Sequence, residues 1–324
     1  MSLEAEYRAA REKAALIDLS ERGKIEVTGA DRVSFLHNIL TNDIKTLKTG
    51  AFCPAALLSA AGKVLALMNV WKFEDKIVLD TDPGFEEKLL GLLDKFLITE
   101  DAALRKATSE YAHFLIKGPK VSEILLSFPH AVRRESTSWG FPAKASGNDI
   151  ALLVKTLAGK ALYKSLIEAG AVPIGPETAE ILRIEEGILR YGVDVTEEVS
   201  LPETGLDETY ASETKGCYPG QEVVARTKTY KGLQRKMTGF VIPRLSAPVI
   251  LSAAKNLRAL RVYSGEKEIG WITSACISPV LGGIALGYAG KGFFFDGGKE
   301  PIQVEIKTES GNIQAVITAL PFKP

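Results

Sequence analysis

The feature that most restricts the fold of this 324-residue chain is a change in residue pattern after Gly232. Beyond it, short β-rich or alternating runs follow one another, with Gly, Pro, Asn and Ser between them. The runs are 237–241, 258–263, 268–277, 284–288, 302–306 and 313–320. Short strands separated by turn residues at fairly regular spacing are typical of a small antiparallel barrel or sandwich. We therefore expect two domains, 1–232 and 233–324, which is also the number that the length suggests.

The first 232 residues alternate between helical and strand patterns. Helical spacing predicts helices over 4–16, 31–40, 176–187 and from 82–83 onward. Strands are predicted at 24–28, 55–58, 64–73 and 76–80. A second, weaker round of strand, helix, strand and helix occupies 113–116, 121–126, 150–155 and 159–169, which predicts a pseudo-repeat. The acidic segment 191–214 is predicted to be a solvated loop. The fold class is therefore α+β.

Composition limits the partners and the compartment. Lys and Arg number 40, as do Asp and Glu, so no overall field attracts the protein to nucleic acid or to an anionic membrane. No apolar stretch reaches the ~20 residues that span a bilayer, and the first residues lack an apolar signal core. The three cysteines are far apart, which favours a reducing compartment. We expect a cytoplasmic protein without a membrane partner. No CxxC or HxxxH spacing indicates a metal site.

One motif stands out as a candidate for chemistry. It consists of Lys215, Gly216, Cys217, Tyr218, Pro219, Gly220, Gln221 and Glu222. The glycines permit unusual backbone angles and a close approach of a ligand. A neighbouring lysine and a helix that starts after Gly220 would both lower the pKa of the Cys217 thiol. The alternative is that Cys217 is a small buried hydrophobic residue, as most lone cysteines are.

This motif resembles the Lys-Gly-Cys-Tyr-x-Gly-Gln-Glu signature of YgfZ-like proteins, which are folate-binding relatives of the glycine-cleavage T-protein, an aminomethyltransferase. Residues 183–187 and 191–194 are similar to the Arg-x-Glu-x-Gly and Tyr-Gly-x-Asp segments of that superfamily. Residues 35–44 resemble its first helix and turn, and 270–288 its C-terminal barrel. The resemblance covers nearly the whole chain. It implies a pseudo-repeated folate-binding domain of the T-protein type, followed by a small antiparallel β-barrel.

The resemblance also implies residues that bind folate. Glu185 matches the acid of the superfamily that binds the pterin, whose ring N–H and amino group suit one carboxylate. Glu185 could instead be an exposed helix glutamate that pairs with a lysine or arginine. Tyr191 matches a residue of the site, and Asn42 and Asp43 match the turn at its mouth. Short polar residues after a helix also commonly cap it or form turns.

Arg226 has two open interpretations. It lies four residues after Glu222, so the two can form an ion pair that supports a helix. Its guanidinium could also bind the carboxylate tail of folate.

The chain departs from the aminomethyltransferase at one position that matters for activity. In that enzyme an acidic pair after a Gly-Gly-x-x turn supplies the catalytic aspartate. Here Ala66 and Leu67 occupy the matching positions. Without that carboxylate, no group is evident that would handle a proton at the folate nitrogen. Whether the chain is an enzyme is therefore left open.

The resemblance implies a protein that binds tetrahydrofolate or a one-carbon derivative and supports iron–sulfur cluster assembly or repair, including that of enzymes that modify tRNA. Its partners would be folate and iron–sulfur client or assembly proteins. Cys217 would lie at the folate cleft and act as a thiolate ligand or a nucleophile. One alternative is a folate-dependent aminomethyl or one-carbon transferase. Another is a non-enzymatic adaptor.

The adaptor hypothesis depends on a basic patch, which a solvated interdomain hinge explains better. The patch consists of Lys228, Tyr230, Lys231, Arg235 and Lys236. Direct binding of nucleic acid is not expected.

Overall fold

A computed structural model describes residues 1–126, 139–140, 149–230, 232–242, 260–294, 302–308 and 311–323. The chain divides into two compact units. The first unit comprises Met1–Pro176 and Leu206–Gln221, and the second comprises Glu177–Gly205 and Glu222–Pro324. The second unit thus includes two segments that precede residue 233 as well as the predicted barrel. The domain boundary that we predicted at 232–233 differs from this division into two units and stays a prediction.

The elements of residues 1–176 are strands with helices between them. In chain order they are α1 (Leu3–Glu12), β1 (Ala15–Asp18), β2 (Gly23–Thr28), α2 (Arg32–Ile39), β3 (Phe52–Leu58), β4 (Val64–Lys72), β5 (Ile77–Thr81), α3 (Glu86–Asp94), β6 (Ala103–Lys106), a 3₁₀ helix (Thr108–Glu110), β7 (Tyr111–Lys117), α4 (Val121–Leu126), β8 (Trp139–Gly140), β9 (Ile150–Lys155), α5 (Thr156–Glu168) and β10 (Val172–Pro173).

Among the described residues after 173, the elements are four helices and six strands. They are α6 (Pro176–Glu185), α7 (Leu201–Thr204), α8 (Asp207–Tyr210), α9 (Gln221–Tyr230), β11 (Arg235–Ile242), β12 (Arg261–Ser264), β13 (Lys267–Ser278), β14 (Gly282–Gly290), β15 (Ile302–Thr308) and β16 (Gly311–Thr318).

The first unit contains two five-stranded sheets. One has the order β3-β4-β5-β2-β6, and the other has the order β10-β1-β7-β9-β8. All the pairings are antiparallel except that of β1 with β10. Trp71 and Val78 of one sheet pack with Tyr111 and Leu153 of the other in a shared core. Helices α2 and α3 cover the first sheet, because their apolar faces, including Phe35, join its core. Helices α4 and α5 cover the second.

The second unit contains a closed barrel of six antiparallel strands in the order β11-β14-β13-β12-β15-β16. Each of the six predicted β-runs overlaps one of these strands, so the α+β class with an antiparallel barrel is confirmed. Residues 258–259 of the run 258–263 lie outside the described residues. Strands β13 and β14 approach each other so closely at position 270 that this residue must be glycine. A Cβ atom on Gly270 would lie 1.8 Å from the carbonyl oxygen of Tyr288 on the paired strand.

The structure corrects the predicted helix at 4–16, which ends at Glu12. Residues 15–18 form β1, which pairs with β7 on one side and β10 on the other. Ala15 and Leu16 are buried there. A short apolar run fits a helix and a buried strand equally well, and here the tertiary pairing decides.

The predicted solvated loop at 191–214 is also wrong. It contains α7 and α8, and its Asp194 and Glu203 are buried. A capping box starts α7, in which the backbone N–H of Ser200 donates to the Glu203 carboxylate at 2.7 Å. The helix expected from 82–83 begins later, at Glu86. In the described part of the chain, no helix is long and apolar enough to cross a membrane.

Candidate functional site

The segment that leads into the Cys217 motif is bound to the turn after α2. The hydroxyl of Thr41 donates to the carbonyl oxygen of Tyr210 at 2.5 Å, and the amide of Ser212 donates to the carbonyl oxygen of Thr41 at 3.0 Å. The side-chain amide of Asn42 donates to the carbonyl oxygen of Thr209 at 3.1 Å. These bonds join two parts of the first unit that are far apart in sequence, and they fix where the motif begins.

Lys215 continues this attachment with its side chain. It is buried, and its ammonium group donates to the carbonyl oxygens of His37 and Leu40 at the end of α2. A cation is favourable there because the last carbonyls of a helix are unpaired and carry partial negative charge. Burial lowers the pKa of Lys215 to about 8. We expected the ammonium of Lys215 to lower the pKa of the Cys217 thiol. It instead binds the end of α2 and anchors the motif there.

Cys217 itself is exposed, so the alternative of a buried hydrophobic cysteine is wrong. The chain has two other thiols, and both are free. Burial raises the pKa of Cys53 and of Cys276 to about 12, which keeps these two groups protonated at neutral pH. Of the three cysteines, all of which lie in the described residues, Cys217 is exposed, Cys53 is partly buried and Cys276 is buried.

The glycine that closes the motif packs directly on backbone. Gly220 has a φ of +79°, and a Cβ atom there would lie 2.5 Å from the carbonyl oxygen of Ser59 and 3.0 Å from the Cα of Gly62. Ser59 and Gly62 belong to the turn between β3 and β4. Gln221 follows as the first residue of α9, and its amide donates to the carbonyl oxygen of Tyr218 at 3.2 Å. The motif is therefore attached through Lys215 on one side of Cys217 and packed at Gly220 on the other, with the thiol exposed between them.

Asn42 and Asp43 make contacts that a turn requires. Asn42 also donates to the carbonyl oxygen of Pro54 at 2.8 Å. The Asp43 carboxylate accepts from the amides of Lys45 at 3.0 Å and Thr46 at 3.2 Å. Burial acts to raise the pKa of Asp43, but the hydrogen bonds from Thr46 and Lys45 and the charge of His37 together outweigh it, and the pKa is lowered. These contacts support the turn interpretation, and a role of the two residues in ligand binding stays a prediction.

A buried ion cluster lies on the first sheet and was not predicted from the sequence. Asp80 of β5 is fully buried, and Arg22 binds both of its oxygens, at 2.9 and 3.1 Å. Another nitrogen of the same guanidinium donates to Asp82 at 2.8 Å. Asn69, which is paired with Asp80 across the strands, donates to its carboxylate at 3.2 Å. An acidic residue inside a predicted apolar strand was the available signal.

Charge stabilises this cluster against the cost of burial. Burial acts to raise the pKa of Asp80, but the Arg22 guanidinium and the neighbouring His113 and Lys24 hold it well below its usual range. The Asp80 carboxylate is therefore ionised over the physiological pH range, with a partner for each oxygen.

Glu185 lies in the second unit as the last residue of α6, and only 2% of it is exposed. The alternative of an exposed helix glutamate is therefore wrong. Its charge is near the thiol of Cys276 on β13, since it adds to the effect of burial in raising the pKa of that thiol. The next residue, Glu186, is only partly buried. A role of Glu185 in pterin binding stays a prediction.

The arginine of the Arg-x-Glu segment is a structural residue. Arg183 donates to Asp194 and to the hydroxyl of Ser274, both at 2.8 Å. The buried Asp194 carboxylate also accepts from the hydroxyls of Thr273 and Ser274, both at 2.6 Å. This network ties α6 and the segment after it to strand β13.

The remaining candidates of the second unit differ in exposure. Tyr191 is buried. Glu222 and Arg226 form the expected ion pair at 2.8 Å, and both side chains are largely exposed, at 85% and 68%. An exposed pair of this kind contributes little to stability. The guanidinium thus remains accessible, and both interpretations of Arg226 stay open.

The positions that match the aminomethyltransferase aspartate are apolar and buried. Ala66 and Leu67 lie on β4 with 2% and 3% of their surface exposed. Among the described residues, no group of three or more His, Cys, Asp or Glu side chains is arranged to hold a metal ion.

Comparisons with known proteins agree with this architecture. Residues 1–145 match the family model of the GCVT N-terminal domain. The chain is 27% identical to an aminomethyltransferase of Listeria monocytogenes, over 99% of this chain and 89% of that protein. It is 28% identical to an aminomethyltransferase of Bacillus mycoides, over 99% of this chain and 90% of that protein.

Two further comparisons define the limits of the similarity. A protein of Arabidopsis thaliana described as a "putative transferase, chloroplastic" is 27% identical over 78% of this chain, and the match spans only 62% of that protein. The crystal structure of the glycine cleavage system aminomethyltransferase T from Bartonella henselae superposes with a TM-score of 0.80. That match covers 99% of this chain and 90% of the other, at 19% identity, and shows a shared fold. Residues 1–145 thus match the model of the GCVT N-terminal domain, and over nearly its whole length the chain is similar in sequence and in fold to aminomethyltransferases.

Proposed function

We propose that the chain binds tetrahydrofolate, or a one-carbon derivative, through Glu185 and supports iron–sulfur cluster assembly or repair through Cys217. Enzymes that modify tRNA with such clusters would be among its clients. The observation that carries the proposal is the burial of the Glu185 carboxylate at the end of α6. The exposed thiol of Cys217 and the apolar Ala66 and Leu67 support a role other than aminomethyl transfer.

The residues present fit the pterin part of folate. A pterin offers a ring N–H beside an amino group, and a carboxylate withdrawn from water is a strong acceptor for two parallel donors. Arg226, with its exposed guanidinium, would bind the carboxylate tail of folate. Tyr191 would contribute to the site from its buried position in the same unit as Glu185. Asn42 and Asp43 belong to the first unit, and their role in folate binding stays a prediction. The folate, when bound, would supply a carrier for a one-carbon unit.

Replacing Glu185 by glutamine should weaken the binding of tetrahydrofolate by about 10- to 100-fold. The amide keeps the shape of the side chain but loses the charge and one acceptor. The measurement is calorimetric titration of reduced tetrahydrofolate into the wild type and the variant under anaerobic conditions.

Glu186→Gln is the matched control. Glu186 directly follows the last residue of α6, and its amide still donates to the carbonyl oxygen of Leu182. Its side chain should therefore lie roughly 100° around the helix axis from that of Glu185, outside the pocket. Its affinity should equal that of the wild type. The folate proposal is wrong if the wild type does not bind, or if Glu185→Gln binds equally well.

Replacing Cys217 by alanine should leave folding and folate binding unchanged while abolishing support of iron–sulfur enzymes. The side chain is exposed, so its loss should change the free energy of unfolding by no more than ~0.5 kcal/mol. The readout is the activity of an iron–sulfur tRNA-modifying enzyme in cells that carry each variant.

Cys53→Ala is the control for that experiment, since it removes a thiol that burial keeps protonated. Full activity with Cys217→Ala would refute the thiol role.

A folate-dependent transferase is the second candidate, because relatives across the full length of the chain are named aminomethyltransferases. Turnover with a lipoyl-bound aminomethyl donor would favour it over our proposal. The apolar pair at 66 and 67 speaks against such turnover.

The adaptor hypothesis has less support. Lys231 and the side chains of Lys228 and Tyr230 lie outside the described residues. Arg235 donates to Glu203 at 2.9 Å and to the carbonyl oxygen of Glu198 at 2.6 Å. This arginine is therefore engaged within its own unit.

A further inference from the structure

The end of α6 makes a backbone contact with the segment Leu320–Phe322, which follows β16. The amide of Phe322 donates to the carbonyl oxygen of Glu185 at 2.9 Å. The last carbonyls of a helix have no partner within the helix, so they need one from elsewhere. Phe322 supplies it at the residue that we propose as the pterin acceptor.

Two other carbonyls near the end of α6 accept hydrogen bonds from amides of the turn that follows the helix. The amide of Gly187 donates to the carbonyl oxygen of Ile184, and the amide of Ile188 to that of Arg183, both at 3.0 Å. Gly187 has a φ of +67°. This pattern is a Schellman motif. It leaves the carbonyl of Glu185 for Phe322.

Side chains of the segment Leu320–Phe322 pack against α6 and the barrel. A Cβ atom on Gly187 would lie 3.1 Å from the Cβ of Leu320, so the helix end and the segment are in close contact. The ring of Phe322 is 9% exposed and covers Gly239 of β11, where an added Cβ would lie 2.8 Å from ring carbons. The segment is thus held on β11 by an aromatic ring and on α6 by a hydrogen bond and an apolar contact.

We infer that Leu320–Phe322 is a positioning element that holds Glu185 in the orientation needed to bind its ligand. The inference rests on the proposed folate site. A carboxylate that accepts two parallel N–H groups must be aligned with both at once, and loss of one hydrogen bond to a charged group weakens binding by about 10- to 100-fold. Phe322 acts through Glu185 and has no assigned contact with the ligand.

The test is Phe322→Ala in the full chain, with two readouts. The first is the affinity for tetrahydrofolate by anaerobic calorimetry, which we expect to fall by about 10- to 100-fold. The second is hydrogen exchange of the amides of Gly187 and Ile188, which should become faster because the helix end loses its support. The second readout does not depend on folate.

Phe322→Leu is the conservative variant. Leucine keeps an apolar side chain over Gly239 and the backbone amide, so affinity and exchange should return most of the way to wild-type values. This variant also tests the inference if the alanine variant does not fold. Normal affinity together with rapid exchange at Gly187 in the leucine variant would contradict the inference.

Val304→Ala controls for general loss of stability. Val304 is 2% exposed in the barrel core, and its truncation should weaken the barrel without changing affinity or exchange at α6. An equal loss of affinity in Val304→Ala would overturn the positioning role.

The failures of the two proposals are distinguishable. If the wild type binds and Phe322→Ala binds equally well, or if exchange at Gly187 is unchanged, the positioning role alone is overturned. If the wild type does not bind tetrahydrofolate, the proposed function fails and the positioning role fails with it.

Discussion

Replacing Asp80 by asparagine should lower the free energy of unfolding by about 3–5 kcal/mol, as expected when a buried ion pair loses one partner. The Arg22 guanidinium would keep its contact with Asp82 but would lose the carboxylate that binds it at two oxygens. The asparagine would keep one acceptor oxygen, and its NH2 group would face a donor, either Arg22 or Asn69. Urea-induced unfolding, followed by circular dichroism, measures the difference.

The same variant should be less sensitive to acid. The folded protein holds the pKa of Asp80 well below its unfolded value, so the unfolded chain binds more protons as the pH falls. The stabilisation is complete above the unfolded pKa of ~3.9 and is lost as the pH falls further toward the folded value. Below about pH 4, the wild type should therefore lose stability more steeply than Asp80→Asn. Unfolding curves at several pH values test this.

Glu87→Gln is the control for both measurements. Glu87 forms an ion pair with Lys106, but both side chains are largely exposed, so we expect a change of no more than ~1 kcal/mol. If Asp80→Asn behaved like Glu87→Gln, the cluster would contribute no more than a surface pair.

Replacing Asp194 by asparagine should also lower the free energy of unfolding by about 3–5 kcal/mol. One carboxylate oxygen accepts from the hydroxyls of Thr273 and Ser274, and the other accepts from Arg183 and from the amide of Arg190. An asparagine would turn an N–H group toward one of these sets of donors and would leave the guanidinium without its charge partner. The change should appear as a lower midpoint in urea.

Glu197→Gln provides the comparison within the same acidic segment. Glu197 is exposed, so its neutralisation should change stability by no more than ~0.5 kcal/mol. Similar losses in both variants would show that the acidity of the segment matters, rather than the network around Asp194.

The parts of the fold that were predictable are those whose signals are local. Each barrel strand shows its own alternating pattern between turn residues, so the six strands could be found one at a time. The two short helices at 201–210 were missed because the acidic composition concealed the capping residues Ser200 and Glu203. Strand β1 was missed because its pairing partners lie about a hundred or more residues later, so nothing nearby distinguishes it from the end of α1.

The candidate site was predictable only in part, because contacts across the chain decide the direction of its side chains. Cys217 and Glu185 could be selected from motifs, but exposure of the first and burial of the second come from tertiary packing. Lys215 is two residues from Cys217, yet its ammonium binds carbonyls 178 and 175 residues earlier. The ion cluster at Asp80 brings together Arg22 and Asn69, which no short motif connects.

Residues of one motif can be retained in evolution for two reasons, packing or chemistry. The close approach of Gly220 to the β3–β4 turn is a reason of the first kind. Any side chain at 220 meets the carbonyl oxygen of Ser59, whatever the protein does, so architecture alone would preserve that glycine through evolutionary drift. Cys217 is exposed and has no such restraint. A descendant that had abandoned the chemistry would therefore keep the glycine and lose the cysteine. Among relatives of this chain, the thiol and not the surrounding motif would be the marker of a shared activity.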